Sequence, residues 1–99
     1  MVRYEITAVV RPDVAGAYEA YMRAHIPDVL ATGCFIAASL GRAAQGRYRV
    51  WYDAPDQSML DRYIADHAPG LRADFMEHLP EGVALTREVW SQVGSWPGE

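Results

Sequence analysis

The chain contains no Lys and no Asn, one Cys (Cys34), and only three His, at positions 25, 67 and 78. Without Lys there is no Schiff base, no pyridoxal attachment and no phosphate-loop lysine. A lone Cys closes no internal disulfide and builds no Cys-rich zinc site, and the His spacing offers no HxxxH or HxH pair, so no metal and no cofactor are expected. No apolar run approaches the roughly 18 residues of a membrane span. All nine basic residues are Arg, scattered among thirteen acidic ones for a formal charge of −4. No basic stripe is present to neutralise phosphates, which excludes nucleic acid as an expected partner.

Of the 99 residues, 51% are hydrophobic and 22% charged, the composition of one globular domain. We expect that domain over residues 1–93, followed by a short mobile tail, 94–99, that carries Trp96. A chain this short buries only about two-thirds of its unfolded surface, so it gains by pairing with a second copy. Cys34, within an apolar segment, reads as a small core residue in a reducing, cytoplasmic setting.

Val2, Tyr4, Ile6, Ala8 and Val10 alternate with Arg3, Glu5 and Thr7, the pattern of a half-buried strand over 2–10. Pro12-Asp13 starts a helix with Val14, Tyr18, Tyr21, Met22 and His25 on one stripe. Pro27 disfavours helical backbone at Ile26, so the helix is expected to stop or kink near His25 and restart at Pro27 until Thr32-Gly33. Residues 34–43 and 47–53 form a hairpin about Ala44-Gln45-Gly46. A second helix opens at Pro55-Asp56, is interrupted at Pro69-Gly70 and closes at Pro80. A last strand covers 83–91.

The order βαββαβ is that of an α+β, ferredoxin-like domain. It implies a four-stranded antiparallel sheet, order 4-1-3-2, with two kinked helices on one face. The other face is expected to show Arg3, Glu5, Thr7, Val9, Arg47, Arg49, Trp51, Thr86, Glu88 and Trp90. Large aromatics among charges on an uncovered sheet point to a homodimer packed sheet to sheet, a dimeric α/β barrel.

One pattern recurs at an offset of 42: Tyr21 to Pro27 and Tyr63 to Pro69 both read Tyr-x-x-x-His-x-Pro. Tyr and His four apart share a helix face, and the Pro places each His at a helix end. Two readings of this stand. His at a C-terminus can simply satisfy free carbonyls and meet the dipole. Alternatively, Tyr4, Tyr48 and Tyr52 point to the same side by parity, so five Tyr and two His converge above one sheet face. That is too many polar tips for a dry core, and a small ligand-holding cavity resolves it. There His25 and His67 would transfer protons or contact an anion, with the helix end favouring imidazolium. Tyr21, Tyr63, Tyr48, Tyr52 and Tyr4 would orient the ligand, and Arg72 either reaches an anionic ligand at the mouth or solvates its helix. His78 is expected away from this stripe. Glu5 and Glu88, near Arg3, Arg47, Arg49 and Arg87, read as cross-strand ion pairing.

The segments Tyr4-Glu5-Ile6-Thr7, His25 through Phe35 and Tyr63 through Arg72 give the chain a further character. It resembles a small bacterial family known only as a domain of unknown function, within the dimeric α/β-barrel superfamily. That superfamily includes cofactor-free monooxygenases, polyketide cyclases, muconolactone isomerases and haem-handling enzymes. The resemblance implies the fold and a pocket between sheet and helices but does not choose a reaction. The expected function is binding of a small aromatic or anionic metabolite, with a cofactor-free acid/base cyclisation or isomerisation. The alternatives are a non-catalytic dimeric structural or regulatory module and a cofactor-free monooxygenase of the antibiotic-biosynthesis type.

Overall fold

The computed structural model describes residues 1–98. Strand β1 (Val2–Val10) lies at the centre, flanked by β3 (Arg47–Ala54) and β4 (Val83–Ser91), with β2 (Ala37–Arg42) outside β3. All pairings are antiparallel, and the order β2-β3-β1-β4 is the expected one read from the other edge. Helices α1 (Ala15–Leu30), α2 (Gln57–Asp66) and α3 (Ala68–His78) connect the strands of this ferredoxin-like α+β fold.

Strand β1 is held at its end by two turns, where Val10 N–H donates to the Gly46 carbonyl and Arg11 N–H to that of Gly82, both at 2.8 Å. Gly46 has φ +70°, and a Cβ there would lie 2.4 Å from the Val10 carbonyl oxygen, so only glycine closes this hairpin. Asp56 caps α2 by accepting from Met59 N–H at 3.0 Å, a contact of a kind that stabilises a helix by about 1 kcal/mol.

Alternation places Val2, Tyr4, Ala8, Val10, Tyr48, Val50, Tyr52 and Ala54 toward the helices, where they meet Tyr18, Met22, Val29, Leu60, Tyr63 and Phe75 in one core. Cys34 is fully buried in it as a free thiol.

The segment between the helix and strand β2 departs from expectation. Strand β2 begins only at Ala37, because Thr32 Oγ1 donates to the Val29 carbonyl and accepts from Cys34 N–H, tying residues 32–34 into a helix-terminal turn. More consequentially, α1 does not stop near His25. It runs through Pro27 to Leu30, and the Ala31 N–H bonds back to the Pro27 carbonyl. The lost donor and the crowding at Pro27 are outweighed by burial of the turn beyond it, with Val29 fully enclosed. The second helical segment does break, between Asp66 and Ala68, where Pro69 falls in the first turn of α3 and its missing N–H costs nothing.

The opposite sheet face carries the expected mixture. Arg3 pairs with Asp53 at 2.8 Å and stacks over Trp51 at 5.6 Å, Arg49 pairs with Glu5 at 3.2 Å, and Trp90 is half exposed. Arg87 is not among them: its register opposite Ile6 turns it to the helix side. Residues 94–98 form no regular element, and Trp96 is exposed. Glu99, the end of the expected tail, lies outside the described residues.

Candidate functional site

Between the helix layer and the sheet lies a cavity of about 80 Å³. At about 10–15 Å³ for one water, it has room for several waters or one compact ligand. Its walls include Tyr4, Ile6, Val50 and Tyr52 from the sheet, Tyr18, Met22 and His25 from α1, and Tyr63, Leu71, Arg72 and Phe75 from the other helices. Five residues anticipated from the sequence therefore line one space: Tyr4, Tyr52, Tyr63, His25 and Arg72.

Three others do not. Tyr48 turns its hydroxyl away to donate to Glu19, which also accepts from Arg42 at 3.0 Å. His67 stands at the α2–α3 break, its ring 6.3 Å from that of Tyr63 and off the cavity wall. Tyr21 is off the wall too, but touches a residue on it: its hydroxyl lies 3.3 Å from His25 Nδ1 and donates to Asp74 Oδ2 at 2.6 Å. The repeat is thus equivalent in sequence and divergent in place, because only the second copy breaks its helix at the His.

Tyr52 is 1% exposed, and its hydroxyl has no hydrogen-bond partner among the described residues. An orphaned buried hydroxyl costs about 1–3 kcal/mol. Beside it, Arg72 Nη2 donates to the Tyr4 hydroxyl at 3.1 Å.

Burial pushes the Tyr18 and Tyr63 hydroxyls up to about 12 and raises that of Tyr52 further. These phenols stay protonated at neutral pH and serve as donors. His25 is different. Burial lowers its pKa, with Asp74 and Asp28 opposing, so the ring is biased to the neutral form. The expectation of an imidazolium at a helix end is corrected on both counts, since His25 lies five residues inside α1 and is desolvated. Because the Tyr21 proton goes to Asp74, the Tyr21 oxygen is left to accept from His25 Nδ1–H, which leaves the lone pair on Nε2.

Arg87, Tyr18 and Asp74 were missed. Arg87 lines the cavity from β4, and its strand parity, in phase with Leu85, was the available signal. Asp74 reaches Tyr21 across 53 residues of sequence, for which no local pattern exists. His78, expected away from the pocket stripe, is off the cavity wall, and packs 5.3 Å from the Tyr21 ring and bonds the Asp74 carbonyl.

Residues 1–93 match the family described as Domain of unknown function (DUF4286). No curated protein matches the sequence. Among solved structures, a variant of SnoaB, a cofactor-independent oxygenase from Streptomyces nogalater, is similar with 13% identity and a TM-score of 0.79, covering 98% of this chain and 97% of that one. A dimeric ferredoxin-like protein from an uncultured marine organism is similar with 12% identity, TM-score 0.74 and 96% of each chain covered. An antibiotic biosynthesis monooxygenase gives 15% identity, TM-score 0.68 and coverage of 95% and 100%. At these identities the likeness is one of fold.

Proposed function

We propose, for a chain that belongs to the domain of unknown function DUF4286, that the cavity binds a small aromatic or anionic molecule on which His25 moves a proton. The observation that carries this reading is the orphaned Tyr52 hydroxyl, buried in a space lined by other hydrogen-bonding side chains. A rigid module whose Tyr and His groups satisfied one another would leave no such donor free. Neutral His25, with Nε2 as acceptor, is the one group on the wall suited to take a proton near pH 7. The enolate or phenolate so formed would be met by tyrosine hydroxyls and the Arg72 guanidinium, the arrangement that cyclisation and isomerisation need.

The second reading is oxidation of an electron-rich phenol by oxygen without a cofactor, and the oxygenase names among the similar structures favour it. Either reaction begins by removing a proton from the ligand.

The dimer belongs to the same proposal. Trp51, Trp90 and Val9 lie with charged residues on the uncovered face, which we assign to a second copy of the chain packed sheet to sheet. A reducing, cytoplasmic setting fits the buried free thiol of Cys34.

A thermal-shift screen of phenols and small carboxylates tests the reading. Stabilisation by one such compound is expected in the native chain, diminished in Tyr52→Phe, with turnover or proton exchange lost in His25→Gln. Oxygen uptake with a bound phenol would select the second reading. Absence of stabilisation across the screen would overturn both.

A further inference from the structure

The chain carries thirteen acidic residues against nine Arg, yet the wall of this cavity includes two guanidinium groups and no carboxylate. Arg72 comes from α3 and Arg87 from β4, so the helix layer and the sheet each supply one. Both are exposed while lining the cavity, which puts them at its open end. Of the other seven arginines, Arg3, Arg11, Arg42 and Arg49 each hold a carboxylate within 4 Å, while Arg23, Arg47 and Arg62 hold none among the described residues. Neither Arg72 nor Arg87 holds one among the described residues. Arg72 spends one N–H on the Tyr4 hydroxyl and keeps four. Both cations also bear on Tyr63, partly offsetting the rise that burial imposes on its hydroxyl. Inward of them the walls are the rings of Tyr4, Tyr52, Tyr63 and Phe75.

Resting on the reading that this cavity is a ligand site, we infer that its ligand is a compact aromatic carboxylate. The anionic end lies at the mouth between Arg72 and Arg87, and a single ring lies inward among the tyrosines. A guanidinium presents paired N–H donors that match a carboxylate, and in a partly desolvated mouth such contacts discriminate an anion from its neutral isostere. The cavity volume limits the inward part to about one ring.

Benzoate and benzamide, equal in shape and different in charge, are the probes, with binding to the full chain read by calorimetry at low and high salt. Benzoate is expected to bind at least about tenfold more tightly, an advantage that shrinks with salt. In the Arg72→Gln/Arg87→Gln chain that advantage should vanish while benzamide binding persists, which also shows that the variant is folded. Equal binding of the two probes to the native chain, or an advantage that survives the double substitution, overturns the inference and leaves the ligand site standing. Binding of neither probe overturns the inference, and the parallel screen of phenols then decides whether the ligand site falls with it.

Discussion

Tyr21 gives its hydroxyl proton to Asp74 and thereby offers His25 only a lone pair. His25 is folded into this arrangement with burial holding its pKa below 6.5, whereas His78, bonded to the Asp74 carbonyl at the surface, is raised above 6.5. Two-dimensional NMR titration is expected to show the two imidazoles on opposite sides of that value. The unfolded chain protonates His25 first, so its contribution leaves stability full above about pH 6.5 and erodes it as pH falls through the folded value. His78 acts in reverse and, being exposed, weakly. His25→Gln should flatten the acid limb of the stability profile, while Tyr21→Phe should shift the His25 titration without abolishing it. Coincident titration of the two rings would contradict this account.

Tyr52 offers a second test, because its hydroxyl is buried without a partner. Tyr52→Phe keeps the ring packed against Phe35 and Tyr4 and removes the unsatisfied group. The ligand-free variant is expected to gain about 1 kcal/mol, or a rise in Tm of about 4–8 °C for a domain of this size. Ligand-induced stabilisation should fall at the same time. A loss of stability in the free protein would mean that the hydroxyl is already satisfied.

The strands were legible because period-two alternation is written locally: β1 and β4 have the boundaries read from the sequence, and β3 is longer by one residue. The site was legible in part for the same reason. Parity aimed Tyr4 and Tyr52 at the helices, and the four-residue spacing brought Tyr21 onto His25. Parity also aimed Tyr48 correctly, yet a carboxylate on α1 draws its hydroxyl outward, and that contact is tertiary. The doubled Tyr-x-x-x-His-x-Pro suggested two equivalent histidines. Their difference lies in the chain beyond each Pro, a buried turn at Val29 in one case and a fresh helix start in the other, which one-dimensional similarity does not encode.

Pro27 carries the third prediction. It sits inside α1, lacks the donor for the Arg23 carbonyl and is itself exposed, so its ring contributes nothing to the core. An interior proline costs a helix about 3 kcal/mol, while loss of its restriction on the unfolded chain costs about 0.4–1 kcal/mol. Pro27→Ala should therefore stabilise the protein, read as a higher urea midpoint with an unchanged slope. Destabilisation would show that the proline sets the path of the helix beyond His25.

The uncovered sheet face gives the last prediction. On it the charges are largely internal to the chain, with Arg3 held by Asp53 and Arg49 by Glu5, and this pairing lowers the cost of enclosing them. The aromatic groups among them, Trp51 beneath Arg3 and Trp90 opposite it in register, then supply the apolar area that association requires. Sedimentation equilibrium is expected to give twice the 11.0 kDa of one chain. Trp90→Asp removes the half-exposed ring and sets a carboxylate opposite Arg3 on the face that must be enclosed, and should yield monomer with far-UV circular dichroism retained. Because the cavity opens on the other side of the sheet, benzoate binding by that monomer should weaken little. A native chain that sediments at 11.0 kDa would leave Trp90 as a solvent-facing residue and would assign no partner to this surface.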